Sequence, residues 1–143
     1  MKITKREITA QEHKDIYDDF RVIEIEHGVP EANTRRLNVT VDDGGSVIGF
    51  VSGLTNRKWF NLTDLWIHKD HRNKGLGAKI LKMLEDDARA IGMEHIYTWT
   101  TGYDSNDIFY KKQGYKQFTV FEDFFGIKGG HHFGFRKDLK EAK

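Results

Sequence analysis

Residues 64–78 read Asp64-Leu65-Trp66-Ile67-His68-Lys69-Asp70-His71-Arg72-Asn73-Lys74-Gly75-Leu76-Gly77-Ala78, and this stretch decides the fold. It is entered through an apolar run, Leu62, Leu65, Trp66 and Ile67. It leaves through Leu76, Ile80, Leu81, Leu84, Ala88 and Ile91, which recur at helical spacing. A strand therefore ends, a glycine-bearing turn follows and a helix begins. The first N–H groups of such a helix have no internal partner, and its dipole is positive there. Gly75 and Gly77 let an anion approach the backbone, and Lys69, Arg72, Lys74 and Lys79 surround the same point with positive charge. The turn is suited to hold phosphate.

Outward from this turn, the chain divides into a regular series of elements. Lys2–Ile8 is expected as a first strand. Thr9 with Glu12 is a capping box, opening a helix with Ile16, Phe20 and Ile23 on one face that should stop near Gly28-Val29-Pro30. Glu31–Arg36 is read as a short second helix. Leu37–Val41 and Val47–Leu54, joined through Asp42-Asp43-Gly44-Gly45, form a hairpin. After a turn at Thr55–Lys58, Trp59–Ile67 is the strand that enters the phosphate-type turn, and the helix beyond it ends at Gly92. His95–Thr101 reads as a buried strand, and Asp104–Gln113 as a short helix stopped by Gly114. Tyr115–Phe125 and His131–Leu139 are the last two strands. The order β-α-α-β-β-β-α-β-α-β-β implies an antiparallel start followed by a βαβ crossover.

Composition sets the outer bounds. At 143 residues the chain is expected to be one domain spanning 1–143. Lysine plus arginine number 23 against 22 aspartate plus glutamate, so no basic surplus marks a nucleic-acid binder. The chain has no cysteine, which removes disulfides, thiolate metal sites and a cysteine nucleophile. The first residues lack a signal-peptide core and no apolar run is long enough for a bilayer, so a cytoplasmic protein with no membrane partner is expected.

Three phosphate-binding patterns compete for the turn. A Walker A loop requires Gly-Lys-Ser/Thr, but Gly77 is followed by Ala78-Lys79. A dinucleotide fingerprint requires a third glycine where Ile80 stands, and a fold that begins with the unit, whereas four strands are expected before it. The third pattern, Arg-x-x-Gly-x-Gly, is matched by Arg72-Asn73-Lys74-Gly75-Leu76-Gly77. One strand and one helix downstream comes Phe109-Tyr110-Lys111-Lys112-Gln113-Gly114-Tyr115. Over nearly the whole chain this arrangement resembles the GNAT superfamily of acyl-CoA-dependent N-acetyltransferases, and its ending resembles the small bacterial members.

The resemblance implies an α/β fold with a mixed, mostly antiparallel central sheet, a splayed strand pair and flanking helices. It also implies acetyl-CoA as cosubstrate and no metal. Backbone amides of Asn73, Lys74, Gly75, Leu76, Gly77 and Ala78 would wrap the pyrophosphate, with Arg72 heading the motif. Leu65, Trp66 and Ile67 would bind the pantetheine arm as an added strand, beside a slot shared with Tyr97–Thr100. Tyr110 matches the tyrosine that protonates the leaving thiolate. Many members carry asparagine seven residues before that tyrosine. Here Tyr103 occupies that place and Asn106 is three positions off, so Asn106 is the remaining candidate for that cofactor contact.

The chemistry expected is transfer of acetyl to a primary amine, on a small molecule or polypeptide, by direct attack in a ternary complex. An alkyl ammonium titrates near ~10 and must lose its proton. Asp64, at the edge of the cofactor strand, is the candidate base, with Glu24 or Glu26 as substitutes. A backbone N–H near Trp66 or Ile67 would polarise the thioester carbonyl. Two alternatives stand beside this reading: a longer acyl group, or a non-catalytic module that binds coenzyme A as sensor or scaffold.

Three further readings concern the C-terminal third. His131 and His132 are adjacent on a strand and point to opposite faces, which disfavours shared metal chelation. By alternation, Phe118, Phe121, Phe124, Phe125, Phe133 and Phe135 are mainly core, although Phe124 and Phe125 could line an acceptor pocket, and the aromatic strands offer a surface for a homodimer. Arg136–Lys143 reads as a solvated charge run.

Overall fold

The computed structural model describes residues 1–140, which fall into two compact units, residues 1–31 and the described residues from 32 onward. The first unit is one helix, α1 (Ala10–Glu26), preceded by extended chain. The capping box is present: Thr9 Oγ1 accepts from the Glu12 N–H at 3.1 Å, and Glu12 accepts from the Thr9 N–H at 3.2 Å. Arg6 also pairs with Glu12 (2.8 Å). Residues 2–8 form no strand, contrary to expectation. Ile3 and Ile8 are the apolar residues there, and their odd spacing puts them on opposite sides of an extended chain, so no single face rewards strand pairing.

The second unit is a six-stranded sheet with two helices on one face. Its strands are β1 (Arg36–Asp43), β2 (Ser46–Asn56), β3 (Trp59–Ile67), β4 (His95–Thr101), β5 (Lys116–Phe121) and β6 (His132–Asp138). They lie in the order β1-β2-β3-β4-β6-β5. Every neighbouring pair is antiparallel except β3 with β4, which are joined in parallel through α2 (Leu76–Ala90). This is the expected antiparallel start and βαβ crossover. The second expected helix, Glu31–Arg36, does not form. Asn33 is left-handed (φ 45°), and the chain is tied to β2 by Arg35 N–H to Thr55 Oγ1 (2.8 Å) and Thr55 N–H to Arg35 O (2.9 Å). Those bonds satisfy the backbone that a helix would have satisfied internally.

α2 and α3 (Asn106–Lys112) pack on the same face. Between them and the sheet sits the core of Ile80, Leu81, Leu84 and Ala88 from α2, Tyr110 from α3, and Val51, Phe60, Leu62, Ile96 and Phe135 from the strands. One charged group is admitted to this layer. Glu85 of α2 is buried and meets Lys137 of β6 at 2.9 Å, while the Tyr115 hydroxyl donates to it at 3.1 Å. Burial and the carboxylate beside it push the Tyr115 phenol well above its usual range. The trio ties the second half of α2 to β6 and to the residue that follows the α3 turn.

Two readings of the C-terminal third need correction. Only Phe135 of the six phenylalanines is fully buried and Phe133 packs partly against the core, whereas Phe118, Phe121, Phe124 and Phe125 are exposed. Alternation cannot tell which face of a sheet is covered, and the face opposite α2 and α3 carries these rings. Nor is Arg136–Lys140 a solvated run: Arg136–Asp138 belong to β6, Leu139 is buried, and the Arg89 side chain donates to Leu139 O at 2.9 Å. Residues 141–143 of that run lie outside the described residues.

Candidate active site

The turn after β3 is shaped by its own side chains. The Asp70 N–H donates to His68 Nδ1 (3.2 Å), starting a 3₁₀ turn at Lys69–His71. Arg72 folds back so that its Nε donates to Ile67 O at 2.8 Å, anchoring the turn to the end of β3. Asn73 (φ 61°) and Gly75 (φ 81°) are both left-handed. Such an alternation turns successive N–H groups toward one side, as in an anion-binding nest. Gly75 is the N-cap of α2 and makes no side-chain capping bond, and the first turn of α2 carries no acid. The positive end of α2 thus faces its surroundings without an internal counter-group.

The two glycines differ in what the fold asks of them. Gly75 supplies a positive φ that other residues adopt only with strain. A Cβ on Gly77 would meet Ile67 and Phe109 at 3.6 Å, an ordinary contact. The protein's own packing does not demand glycine at 77, and the missing side chain leaves space in front of the α2 amides.

A cleft of about 740 Å³ opens at this helix end. It brings Leu65, Trp66, Ile67, Arg72, Asn73, Gly75, Leu76, Gly77 and Ala78, all of one run, together with Asn106 and Tyr110 from farther along the chain. Lys74 belongs to the same turn but is not in the wall, its ammonium lying 3.4 Å from Asp70 O. His71, Asp104, Ser105, Phe109 and Gln113 also line the cleft, and sequence reasoning did not single them out. The polar run Asp104-Ser105-Asn106 ahead of α3 was the available signal. Asp104 organises it by accepting from the Thr101 hydroxyl (2.6 Å) and from Asn106 Nδ2 (2.8 Å).

The sheet parts beside this cleft. β3 and β4 stay in register only from Trp59–His95 to Leu62–Thr98. Beyond that pair β3 continues against β2 to Ile67, while β4 continues against β6 to Thr101. The Thr98 hydroxyl donates to Leu62 O (3.0 Å) at the point of divergence. Tyr110 is buried there, hydrogen-bonded to Thr98, and burial pushes its phenol up to about 12. A phenol so placed stays protonated throughout the physiological range.

Asp64 lies on the other face. Its register partner is Ser52, whereas Leu65 pairs with the core residue Val51, so Asp64 and Trp66 point away from α2 and α3. Asp64 is exposed and accepts from the Thr63 hydroxyl (2.7 Å). Glu24 is held within α1 in an ion pair with Arg21 (2.8 Å). Among the described residues no group of three or more His, Asp or Glu side chains is placed to hold a metal ion.

Comparison with known proteins matches residues 4–115 to the acetyltransferase (GNAT) family. The chain belongs to the GNAT family. A curated acetyltransferase of Agrobacterium fabrum is 34% identical over 76 residues, a match covering 52% of this chain and 56% of that relative. The chain thus spans little more than half the length of that relative. An acetyltransferase structure from Bacillus cereus shares the fold at TM-score 0.78 and 23% identity, covering 95% of this chain and 97% of the other. An aminoglycoside 6'-N-acetyltransferase solved with coenzyme A does so at TM-score 0.67 and 17% identity, over 100% and 99% of the two chains. As a GNAT chain it has the expected mixed, mostly antiparallel sheet, and the β3–β4 splay is part of it.

Proposed function

We propose that this chain is an N-acetyltransferase that moves an acetyl group from acetyl-CoA to a primary amine by direct attack in a ternary complex. One observation carries this reading: an uncapped helix N-terminus, the end of a splayed strand and a protonated buried phenol line the same cleft. The residues fit the cosubstrate. Backbone amides from Asn73 to Ala78 would hold the pyrophosphate, and the freed edge of Leu65–Ile67 would pair with the pantetheine amides. Asn106 adds a polar side chain to the opposite wall. Bound acetyl-CoA supplies an activated thioester and a sulfur leaving group.

The chain's own groups then do three things. A β3 amide near Trp66 or Ile67 polarises the carbonyl. Tyr110 offers its O–H to the sulfur as charge develops there. Full transfer from a phenol at about 12 to a thiolate of ordinary pKa near ~8.5 would run uphill by roughly 5 kcal/mol. Tyr110 therefore acts mainly as a hydrogen-bond donor, and the proton released by the amine neutralises the thiolate. Asp64, beside the mouth of the splay on the opposite face, orients the amine and takes the ammonium's first proton, directly or through water, before attack. The proton that reaches the thiolate is the second, lost from nitrogen once the C–N bond has formed.

The test is release of free thiol from acetyl-CoA on addition of an amine panel that includes peptides. Amine-dependent release with formation of the N-acetyl product supports the reading. Binding of coenzyme A without turnover on any amine would make the chain a coenzyme A-binding module instead.

A further inference from the structure

On the sheet face turned away from α2 and α3, four rings lie nearly parallel. Trp99 stacks on His132 (4.8 Å between centroids, 13° between planes) and on Phe121 (5.2 Å, 18°), and Phe124 stacks on His132 (4.8 Å, 19°). Phe118 stands edge-on to Trp99, and Phe125 edge-on to both His132 and Tyr103. Trp99 is 37% exposed, Phe118 and Phe121 49% and Phe124 55%. At ~200 Å² per ring these exposures make a patch of roughly 400 Å², in the range of the largest apolar patch on a monomer, which is often functional.

The patch adjoins the cleft at two points. Trp99 directly follows Thr98, the last β4 residue in register with β3 and the hydrogen-bond partner of Tyr110. Tyr103 directly precedes Asp104, a residue of the cleft wall. A group held on the α2 side reaches the opposite face only where β3 and β4 part, so it emerges beside Trp99. Of the carboxylates near the rings, Asp104 and Asp123 are held by local donors, while Glu122 and Asp64 are exposed. Asp104 takes the Thr101 hydroxyl and the Asn106 amide, and Asp123 takes the Gly129 N–H (2.8 Å) with His131 at 3.7 Å. Nδ1 of His132 is closed off in the stack without a hydrogen-bond partner. The shelf itself presents ring faces, with carboxylates only at its borders.

We infer that the acceptor is a monoamine carrying a planar aromatic body, which lies on the Trp99–Phe121 shelf with its amine toward the splay. This rests on the acyl-transfer reading above. The test compares 2-phenylethylamine, spermidine and a lysine-bearing tripeptide as acceptors for the full chain with acetyl-CoA. In parallel, coenzyme A binding is measured by calorimetry. The expected result is a kcat/KM for 2-phenylethylamine at least ~10-fold above that for spermidine or the peptide. Trp99→Ala and Phe121→Ala should each raise its KM about 10-fold while KM for acetyl-CoA stays unchanged. Preference for spermidine or the peptide, or a KM within twofold of wild type in both variants, overturns the inference. So does a stable dimer that Phe121→Glu converts to monomer, because the rings would then face a second copy. If coenzyme A binds but the aromatic preference is absent, only the acceptor inference fails; if coenzyme A does not bind, the acyl-transfer reading falls and takes the inference with it.

Discussion

Replacing Tyr110 by Phe removes one oxygen from the place where β3 and β4 separate. The ring is packed among Phe109, Tyr115 and Phe135, and all of those contacts survive the change. Stability should move little, because the lost hydrogen bond to Thr98, worth ~1 kcal/mol, is offset by relief of a buried hydroxyl. Catalysis should respond very differently. A donor aimed at charge that develops only in the transition state is worth roughly 3 to 4 kcal/mol, or about 10² to 10³ in rate. The expected signature is a kcat reduced at least ~100-fold, with KM for acetyl-CoA within about threefold of wild type. Thiol release from acetyl-CoA at saturating amine measures both constants. In the wild type the rate should keep its plateau past pH 10, because the phenol titrates at about 12. A Tyr110→Phe chain with wild-type kcat at every pH would refute the assignment.

Other consequences follow from the same geometry. Gly77→Ala should change stability by less than ~1 kcal/mol, because its Cβ meets Ile67 and Phe109 at ordinary distance, yet weaken coenzyme A binding several-fold in a calorimetric titration. Arg72→Ala removes the 2.8 Å bond to Ile67 O and should raise KM for acetyl-CoA several-fold with little change in kcat. Lys137→Met leaves Glu85 buried beside Tyr115 without its cation and should cost about 3 kcal/mol in denaturant unfolding. Stability should also fall as pH rises from 10 toward 12. Tyr110 ionises near ~10 when unfolded and at about 12 when folded, so the native state binds the extra proton in that window and its share of the loss approaches ~2.7 kcal/mol, to which Tyr115, also raised, adds.

Much of the site was legible in sequence because its signals are local. A strand end, two glycines and a helical stripe occupy one continuous run, and the bounds read for Trp59–Ile67 and His95–Thr101 are those of β3 and β4. The placement of Tyr110 came through a resemblance, since nothing local to Phe109-Tyr110 announces a phenol beside a strand splay. What stayed hidden depends on distant partners. Residues 31–36 favour a helix by themselves, but Thr55 offers their backbone a better set of bonds. Alternation in the last strands was correct as a period, yet it could not say that the Trp99–Phe121 face lacks a covering helix of the second unit. Asp104 and Ser105 reach the cleft wall only because α3 starts beside the end of β4.

The most direct test of the central claim is a titration of the full chain with coenzyme A, followed at its backbone amides by nitrogen-15 NMR. Saturable shifts should be largest from Asn73 to Ala78, with a second group at Leu65–Ile67, and Gly77→Ala should weaken both together. If millimolar coenzyme A leaves the amides of the Asn73–Ala78 turn unmoved, or shifts residues elsewhere instead, the turn does not hold the cosubstrate and the proposed mechanism fails with it.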